Sequence, residues 1–209
     1  MTAREIKPGV HAIASVHWER RLFDSLIPLP DGTSYNAYLV KGSAATALVD
    51  TTDPDLRNEV CLPYVSMHGS TKLMVHHLVD ALVKRGVKVH AFELTVTDIG
   101  DLAMSLVDAA TLIAATPTVH VGAHPAIYYA SYIANMVRPK LKYAAVIGSY
   151  GWASKAVDQV AGQIPNLKVQ ILGTVMQKGL PTAETYAKLD ELADAVAKAH
   201  ADDPDVVKD

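Results

Sequence analysis

Residues 64–71, Tyr-Val-Ser-Met-His-Gly-Ser-Thr, pass from an extended apolar stretch into small hydroxyl-bearing residues around one glycine, and then into a helical pattern. That succession of residue types builds a cradle for an anion. The first turn of a helix leaves backbone N–H groups unpaired at the positive end of the helix dipole, and the hydroxyls of Ser66, Ser70 and Thr71 would converge on the same point. No lysine lies within the loop Ser66, Met67, His68, Gly69, Ser70 and Thr71, and neither Gly-x-x-x-x-Gly-Lys nor Gly-x-Gly-x-x-Gly occurs there. A hydroxyl-rich loop without a cation suits a monoester phosphate, such as that of flavin mononucleotide (FMN), rather than a triphosphate. The same residues also read as a Ser/Thr-capped helix after a strand, with no ligand.

Two later segments have the composition of partners for that loop. Thr116-Pro-Thr-Val-His120 offers a rigid turn at Pro117, a Thr118 hydroxyl and Val119. Gly148-Ser-Tyr-Gly-Trp152 carries Ser149, then Tyr150 and Trp152 around Gly151, with Ala153 following, and so presents aromatic faces beside backbone that a flat ligand can approach. Aromatic residues after a strand also serve simply to close a core.

The elements that must position these segments follow from the hydrophobic period. Apolar runs at 60–65, 87–92, 111–115, 143–147 and 169–175 predict strands, and helical patterns at 71–85, 98–107, 127–137, 155–163 and 183–200 lie after each of them. Helix 71–85 has Met74, Leu78, Ala81 and Leu82 on one face and stops at Gly86; helix 183–200 turns Tyr186, Leu189, Leu192, Ala193 and Val196 inward. Strict alternation predicts an α/β fold, a doubly wound parallel sheet of five strands in the order 2-1-3-4-5. Its ligand crevice lies at the carboxyl ends of the strands, between strands 1 and 3, where the loops leaving strands 1, 3 and 4 meet. Pro63 is out of place in a central strand, because it removes a ladder donor; either the strand begins late or its pairing is weakened.

Residues 1–58 follow another pattern. Runs at 10–16, 35–40 and 45–49 read as strands with alternating faces, broken by the turn Pro28-Leu-Pro-Asp-Gly32. Three strands bury little by themselves and expose two edges, so this segment is expected to be incomplete. The expected domains are 1–58 and 59–209.

Of the 209 residues half are hydrophobic and a fifth charged, with a net charge of −3, which excludes electrostatic recruitment of nucleic acid or of an anionic membrane. The single Cys61 excludes an intrachain disulfide and a Cys-x-x-Cys metal site, and fits a reducing cytoplasm. Arg4, Glu5 and Lys7 precede no apolar core of a secretory signal, so a cytoplasmic location is expected. Residues 109–137 contain no Asp, Glu, Lys or Arg and are long enough to span a bilayer, but Pro117, Gly122 and Pro125 interrupt them; a strand, a loop and a buried helix explain them better.

Gly9-Val-His-Ala-Ile13, Arg21-Leu-Phe-Asp24, the run from Pro30 to Val40 and Ala47-Leu-Val-Asp50 resemble the opening strands of the metallo-β-lactamase-like domain of the flavodiiron proteins, also called A-type flavoproteins. The segments at 66–71, 116–118 and 149–152 resemble the three FMN loops of the flavodoxin-like domain in the same family. Together the two resemblances cover nearly the whole chain. In the family a His-x-Glu-x-Asp-His cluster and further His and Asp residues bind two irons after the segment ending near Asp50. Here Asp50 is followed by Thr-Thr-Asp-Pro-Asp-Leu-Arg-Asn-Glu59, and the flavodoxin-like strand starts at once. The resemblance therefore implies that residues 1–58 are a remnant, that the diiron domain is cut out of the middle, and that oxygen or nitric oxide reduction at the irons does not carry over.

The histidines do not rebuild a metal site. His120 and His124 are spaced i, i+4 but have no carboxylates with them; of the adjacent His76 and His77, one lies beside the apolar stripe of its helix and the other faces solvent. His11 and His17 alternate with apolar residues on a strand surface. His68 lies inside the phosphate loop, as a donor to phosphate or as an exposed loop residue.

The expected function is an FMN-binding, flavodoxin-like electron carrier, with Trp152 or Tyr150 stacked on the flavin and N–H groups near Thr118 and Gly151 on its polar edge. The cofactor brings the redox chemistry, and no side chain need act as acid or base. Two alternatives stay open: an NAD(P)H-dependent FMN quinone reductase, for which no dinucleotide determinant is visible, and a non-catalytic fragment that pairs its N-terminal strands with another chain. A redox partner protein such as rubredoxin or a reductase is expected. Family members work as head-to-tail dimers, and the orphan strands favour a homodimer here.

Overall fold

The chain opens with β1 (Thr2–Lys7), β2 (Val10–His17), β3 (Leu22–Phe23), β4 (Ile27–Pro28), β5 (Thr33–Lys41) and β6 (Thr46–Val49). The computed structural model describes residues 2–17, 22–23, 27–28, 33–49 and 56–207, and the chain divides into two units, 1–54 and 55–209. In the first unit four strands make an antiparallel sheet in the order β1-β2-β5-β6, with β3 and β4 paired separately. The strands expected at 10–16, 35–40 and 45–49 are β2, β5 and β6. β1 has no apolar signature of its own: Arg4, Glu5 and Lys7 are exposed, and it is held by its backbone register with β2, Thr2↔Ala14 to Lys7↔Val10. Charged side chains on an edge strand discourage pairing with a further chain. Of the predicted turn at 28–32, residues 29–32 lie outside the described residues.

The second unit runs β7 (Leu56–Tyr64), α1 (Ser70–Lys84), β8 (Lys88–Glu93), α2 (Ile99–Asp108), β9 (Ala109–Val119), β10 (Gly122–Ala123), α3 (Pro125–Val137), β11 (Tyr143–Tyr150), α4 (Ala156–Gln163), β12 (Gln170–Lys178), α5 (Ala183–Asp202) and β13 (Val206–Val207). Its five long strands are parallel in the order β8-β7-β9-β11-β12, the doubly wound 2-1-3-4-5 arrangement. Side chains alternate across it, as the pleat requires. Val60, Leu62, Ile113 and Ile147 join Met74, Leu78 and Leu82 of α1 and Leu189, Ala193 and Val196 of α5 on one face. Cys61, Leu112, Ala114 and Val146 face α2, α3 and α4 on the other.

Pro63 stands inside β7, and the strand begins earlier than the pattern predicts. Its pairing with β8 is continuous through Pro63↔Phe92, whereas the register with β9 goes from Cys61↔Leu112 to Tyr64↔Ala115 without a pair at Leu62 or Pro63. The missing N–H thus interrupts one ladder locally, and burial of the strand on both faces holds it in place. β13 lies parallel to the first residues of β7, Val206↔Leu56 and Val207↔Arg57, a pairing with no signal in two valines.

The uncharged stretch 109–137 is a buried strand, a hairpin and a helix, and no helix of the described residues is long and apolar enough to cross a membrane.

Candidate functional site

At the carboxyl ends of β7, β9 and β11 the three segments meet around a crevice of about 490 Å³, within the range of ligand pockets. Ser66, Met67, His68, Ser70 and Thr71 line one side of it. Pro117, Thr118, Val119 and His120 line a second, and Ser149, Tyr150, Gly151 and Trp152 a third, with Gly179 closing the rim. Gly69 and Ala153 are outside the lining.

Gly69 acts on the backbone instead. It caps α1 at φ 88, in the left-handed region that glycine enters without steric cost, and so turns the chain from loop to helix. The side-chain oxygen of Ser66 accepts from the N–H of Lys72 at 3.1 Å, and the N–H of Leu73 closes the first helical bond to the Gly69 carbonyl at 2.9 Å. This leaves the N–H groups of Ser70 and Thr71 without an acceptor among the described residues. The Thr71 hydroxyl shares a hydrogen bond of 3.0 Å with that of Ser149, tying the loop to the end of β11.

The other two segments are strand farther than the sequence predicts. Pro117 is no turn: it is buried in β9 and pairs with Ser149 of β11, while Thr118 and Val119 pair with β10. Extension is forced by neighbours, since β11 and β10 both supply ladders to residues whose local composition reads as loop. The turn falls one step later, at His120 (φ 45) and Val121 (φ 73), both in the left-handed region that a two-residue hairpin demands. For a β-branched side chain that conformation is strained. Val121→Gly is expected to raise stability by about 1 kcal/mol in denaturant unfolding; a variant no more stable than the parent would show the turn to be unstrained.

The hairpin is braced by α4. The N–H of Lys155 reaches the Val121 carbonyl at 2.6 Å, and the side chain of Gln159 accepts from the N–H of Ala123 at 2.7 Å. The Thr118 hydroxyl pairs with that of Ser154 at 2.8 Å. Below the rim, Gly148 lies against the backbone of Thr116, so close that a Cβ would overlap the Thr116 carbonyl oxygen. Only glycine lets β11 and β9 approach in this way.

The electrostatics of the lining are simple. It contains no Asp, Glu, Lys or Arg, so a phosphate dianion would meet donors and no opposing carboxylate. Lys72, the residue after the loop, is paired with Glu93 at 3.1 Å, and Glu93 also accepts from the Tyr64 phenol at 3.0 Å. Lys72 and Tyr64 together hold the Glu93 carboxyl below its ordinary range. Burial and the Glu93 carboxylate beside it push the Tyr64 phenol up. Tyr150 is half-buried, while Trp152 is 79% exposed and Met67 55% exposed, which leaves two large apolar side chains standing free at the mouth.

The histidines separate by role. His68 and His120 are exposed at the crevice. His124 caps α3, its Nδ1 accepting from the Ala126 N–H at 3.2 Å, and burial lowers its pKa. His76 is exposed; His77 bonds Asp190 at 3.0 Å and packs on Tyr186. Among the described residues no three His, Cys, Asp or Glu side chains are grouped to hold a metal. The Cys61 thiol is buried and pushed up to about 12, which makes it an inert core group. His120 and Gly179 are the lining residues that the sequence reading missed; the first ends a run already singled out, and the second belongs to the loop after strand 5, which carries no motif.

No family model matches the chain. A curated nitric oxide reductase of Moorella thermoacetica is 29% identical over 146 residues, 68% of this chain and 36% of its own length. The rubredoxin oxygen:oxidoreductase of Desulfovibrio gigas superimposes with a TM-score of 0.66 at 24% identity, over 69% of this chain and 36% of that one. A flavodoxin of Streptococcus pneumoniae TIGR4 superimposes with a TM-score of 0.60 at 20% identity, over 68% of this chain and 99% of its own. The chain thus spans little more than a third of the longer relatives and matches the flavodoxin along its whole length. Its homologues are flavodiiron proteins, the A-type flavoproteins, and its larger unit carries their flavodoxin-like fold.

Proposed function

We propose that this chain is an FMN-binding electron carrier, a flavodoxin-like protein derived from a flavodiiron oxygen or nitric oxide reductase and lacking the diiron chemistry. The reading rests on one observation above the rest: the N–H groups of Ser70 and Thr71, unpaired among the described residues, belong to a crevice lined by no carboxylate and by the aromatic side chains of Tyr150 and Trp152. That donor set fits a phosphate at one end and a flat ring at the other.

In this reading Ser66, Ser70 and Thr71 hold the phosphate, the Thr118 and Gly151 backbones face the polar edge of the ring, and Tyr150 or Trp152 covers its face. FMN when bound supplies the electron transfer. The chain orients it, and the exposed Trp152 and Met67 leave the mouth open to a redox partner, a rubredoxin or a reductase. Residues 1–58 are the remnant of a metallo-β-lactamase-like domain, joined to the FMN domain 59–209, and the sequence between Asp50 and Glu59 carries none of the family's iron-binding cluster. Of the two edge strands of the first unit's sheet, β1 is charged and β6 is not, so the homodimer we infer rests on the β6 edge, and the setting we infer is cytoplasmic.

The purified full chain is expected to be yellow or to take up FMN stoichiometrically at micromolar concentration, and its visible absorption to bleach with dithionite and return in air. A colourless protein that binds no FMN would sink the assignment. Light scattering after size exclusion tests the dimer separately.

A further inference from the structure

We propose that Glu93 sets how tightly the phosphate loop holds its anion, by keeping Lys72 away from it. The inference rests on the FMN reading and concerns a pair of residues that the cradle itself does not contain. Lys72 occupies the third position of α1, and its main-chain N–H is already part of the loop through Ser66. Side chains in a helix tilt toward its N-terminus, so a lysine in the first turn is aimed at the anion site, and its four-carbon stem is long enough to reach past the helix end. It does not line the crevice. Its ammonium is instead turned to Glu93, the last residue of β8, at 3.1 Å.

Glu93 is built to hold it. β8 pairs with β7 through Tyr64↔Glu93, which sets the carboxylate at the same carboxyl edge of the sheet as the loop. The Tyr64 phenol donates to the same oxygen that accepts from Lys72, which fixes the carboxylate's orientation. An anion in the cradle therefore meets a lysine and a glutamate already joined, whose fields nearly cancel at a distance, and is bound by N–H groups and hydroxyls. Neutralising Glu93 while keeping its shape releases the ammonium to the phosphate.

The test compares the full chain with Glu93→Gln, Lys72→Gln and the double variant, titrating each with FMN and with riboflavin at low and high salt. Glu93→Gln is expected to bind FMN on the order of tenfold more tightly at low salt, a gain that salt removes. Riboflavin, which has no phosphate, should bind both proteins alike. Lys72→Gln, which leaves Glu93 uncompensated, should bind FMN more weakly, and the double variant should return near the parent. Glutamine still accepts from Tyr64, and the double variant controls for any disturbance of the strand end. If the parent takes up FMN and Glu93→Gln gains nothing, or gains equally for riboflavin, the role of Glu93 is overturned and the carrier reading stands. If none of the four proteins binds FMN, both fall.

Discussion

Gly148→Ala is expected to destabilise the protein by more than about 4 kcal/mol, enough to abolish the cooperative fold of a marginal domain. The glycine pairs with Thr116 in register and is buried. A methyl group there would overlap the Thr116 carbonyl oxygen, which belongs to the backbone of the central strand and cannot rotate aside. β11 is also tied to β12 on its other side, from Tyr143↔Gln170 to Tyr150↔Lys178, so it cannot yield without breaking a second ladder. The cost is of the overpacking kind, enlarged because no flexible side chain absorbs it. Separation of β9 from β11 would also part Pro117 from Ser149, two sides of the crevice, so any protein that survives should lose the flavin binding proposed for it. Gly151→Ala is the control, since a Cβ at that position meets nothing within 4 Å. Chemical denaturation and the yield of soluble protein measure both; Gly148→Ala within about 1 kcal/mol of the parent would contradict the packing argument.

Acid should weaken the fold through His200 before the carboxylates contribute. The ring is 1% exposed, with Nε2 at 2.6 Å from the Thr111 hydroxyl and Nδ1 at 2.9 Å from the side-chain oxygen of Asn58. Asn58 gives its amide N–H to the Gly86 carbonyl, so its oxygen faces the imidazole. Nδ1 is then the donor and Nε2 accepts from Thr111, which is the neutral ring. Burial disfavours the imidazolium and lowers the pKa from 6.5 to about 4, against a small opposing pull from Asp203. Below pH 6.5 the unfolded chain takes up a proton that the folded one refuses, so stability is complete above that pH and falls as the pH drops toward 4. The loss should reach about 3 kcal/mol, from about 1.4 kcal/mol per pKa unit.

The carboxylates held low in the folded protein, Glu59 and Asp203 among them, act the same way only below their own ordinary values of 4.5 and 3.8, so the upper part of the His200 window, from pH 6.5 to about 4.5, belongs to the histidine. Glu59 is nearly buried, with Lys88 at 2.9 Å and His90 at 2.8 Å opposing the penalty of that burial. Urea unfolding at pH 7, 5.5 and 4.5 would trace the curve, and His200→Gln should flatten it while costing on the order of 1–3 kcal/mol at pH 7 from lost hydrogen bonds. Constant stability of the parent between pH 7 and 5 would refute it.

Much of the architecture was legible because it is written in local patterns. The stripe of Met74, Leu78, Ala81 and Leu82 has the helical period and is the buried face of α1; Asp98 caps α2 with its side chain on the Gly100 N–H at 2.6 Å, as its type predicts. The loop 66–71 was readable for the same reason, since an N-terminal turn makes its own donors. Pro117 was not, because a proline between two threonines looks like a turn until the strands on either side are known.

Residue types and their spacing alone determined the alternation of strand and helix, the sheet order it implies and the three segments at one edge. Each of those depends on a period or a cap that acts within a few residues. Only the tertiary structure decided that β9 and β11 run on into the rim, that β1 and β13 are strands at all, and that Lys72 turns to Glu93. These depend on partners dozens of residues away, Tyr64 with Glu93 or Gly148 with Thr116, whose distances no local preference encodes.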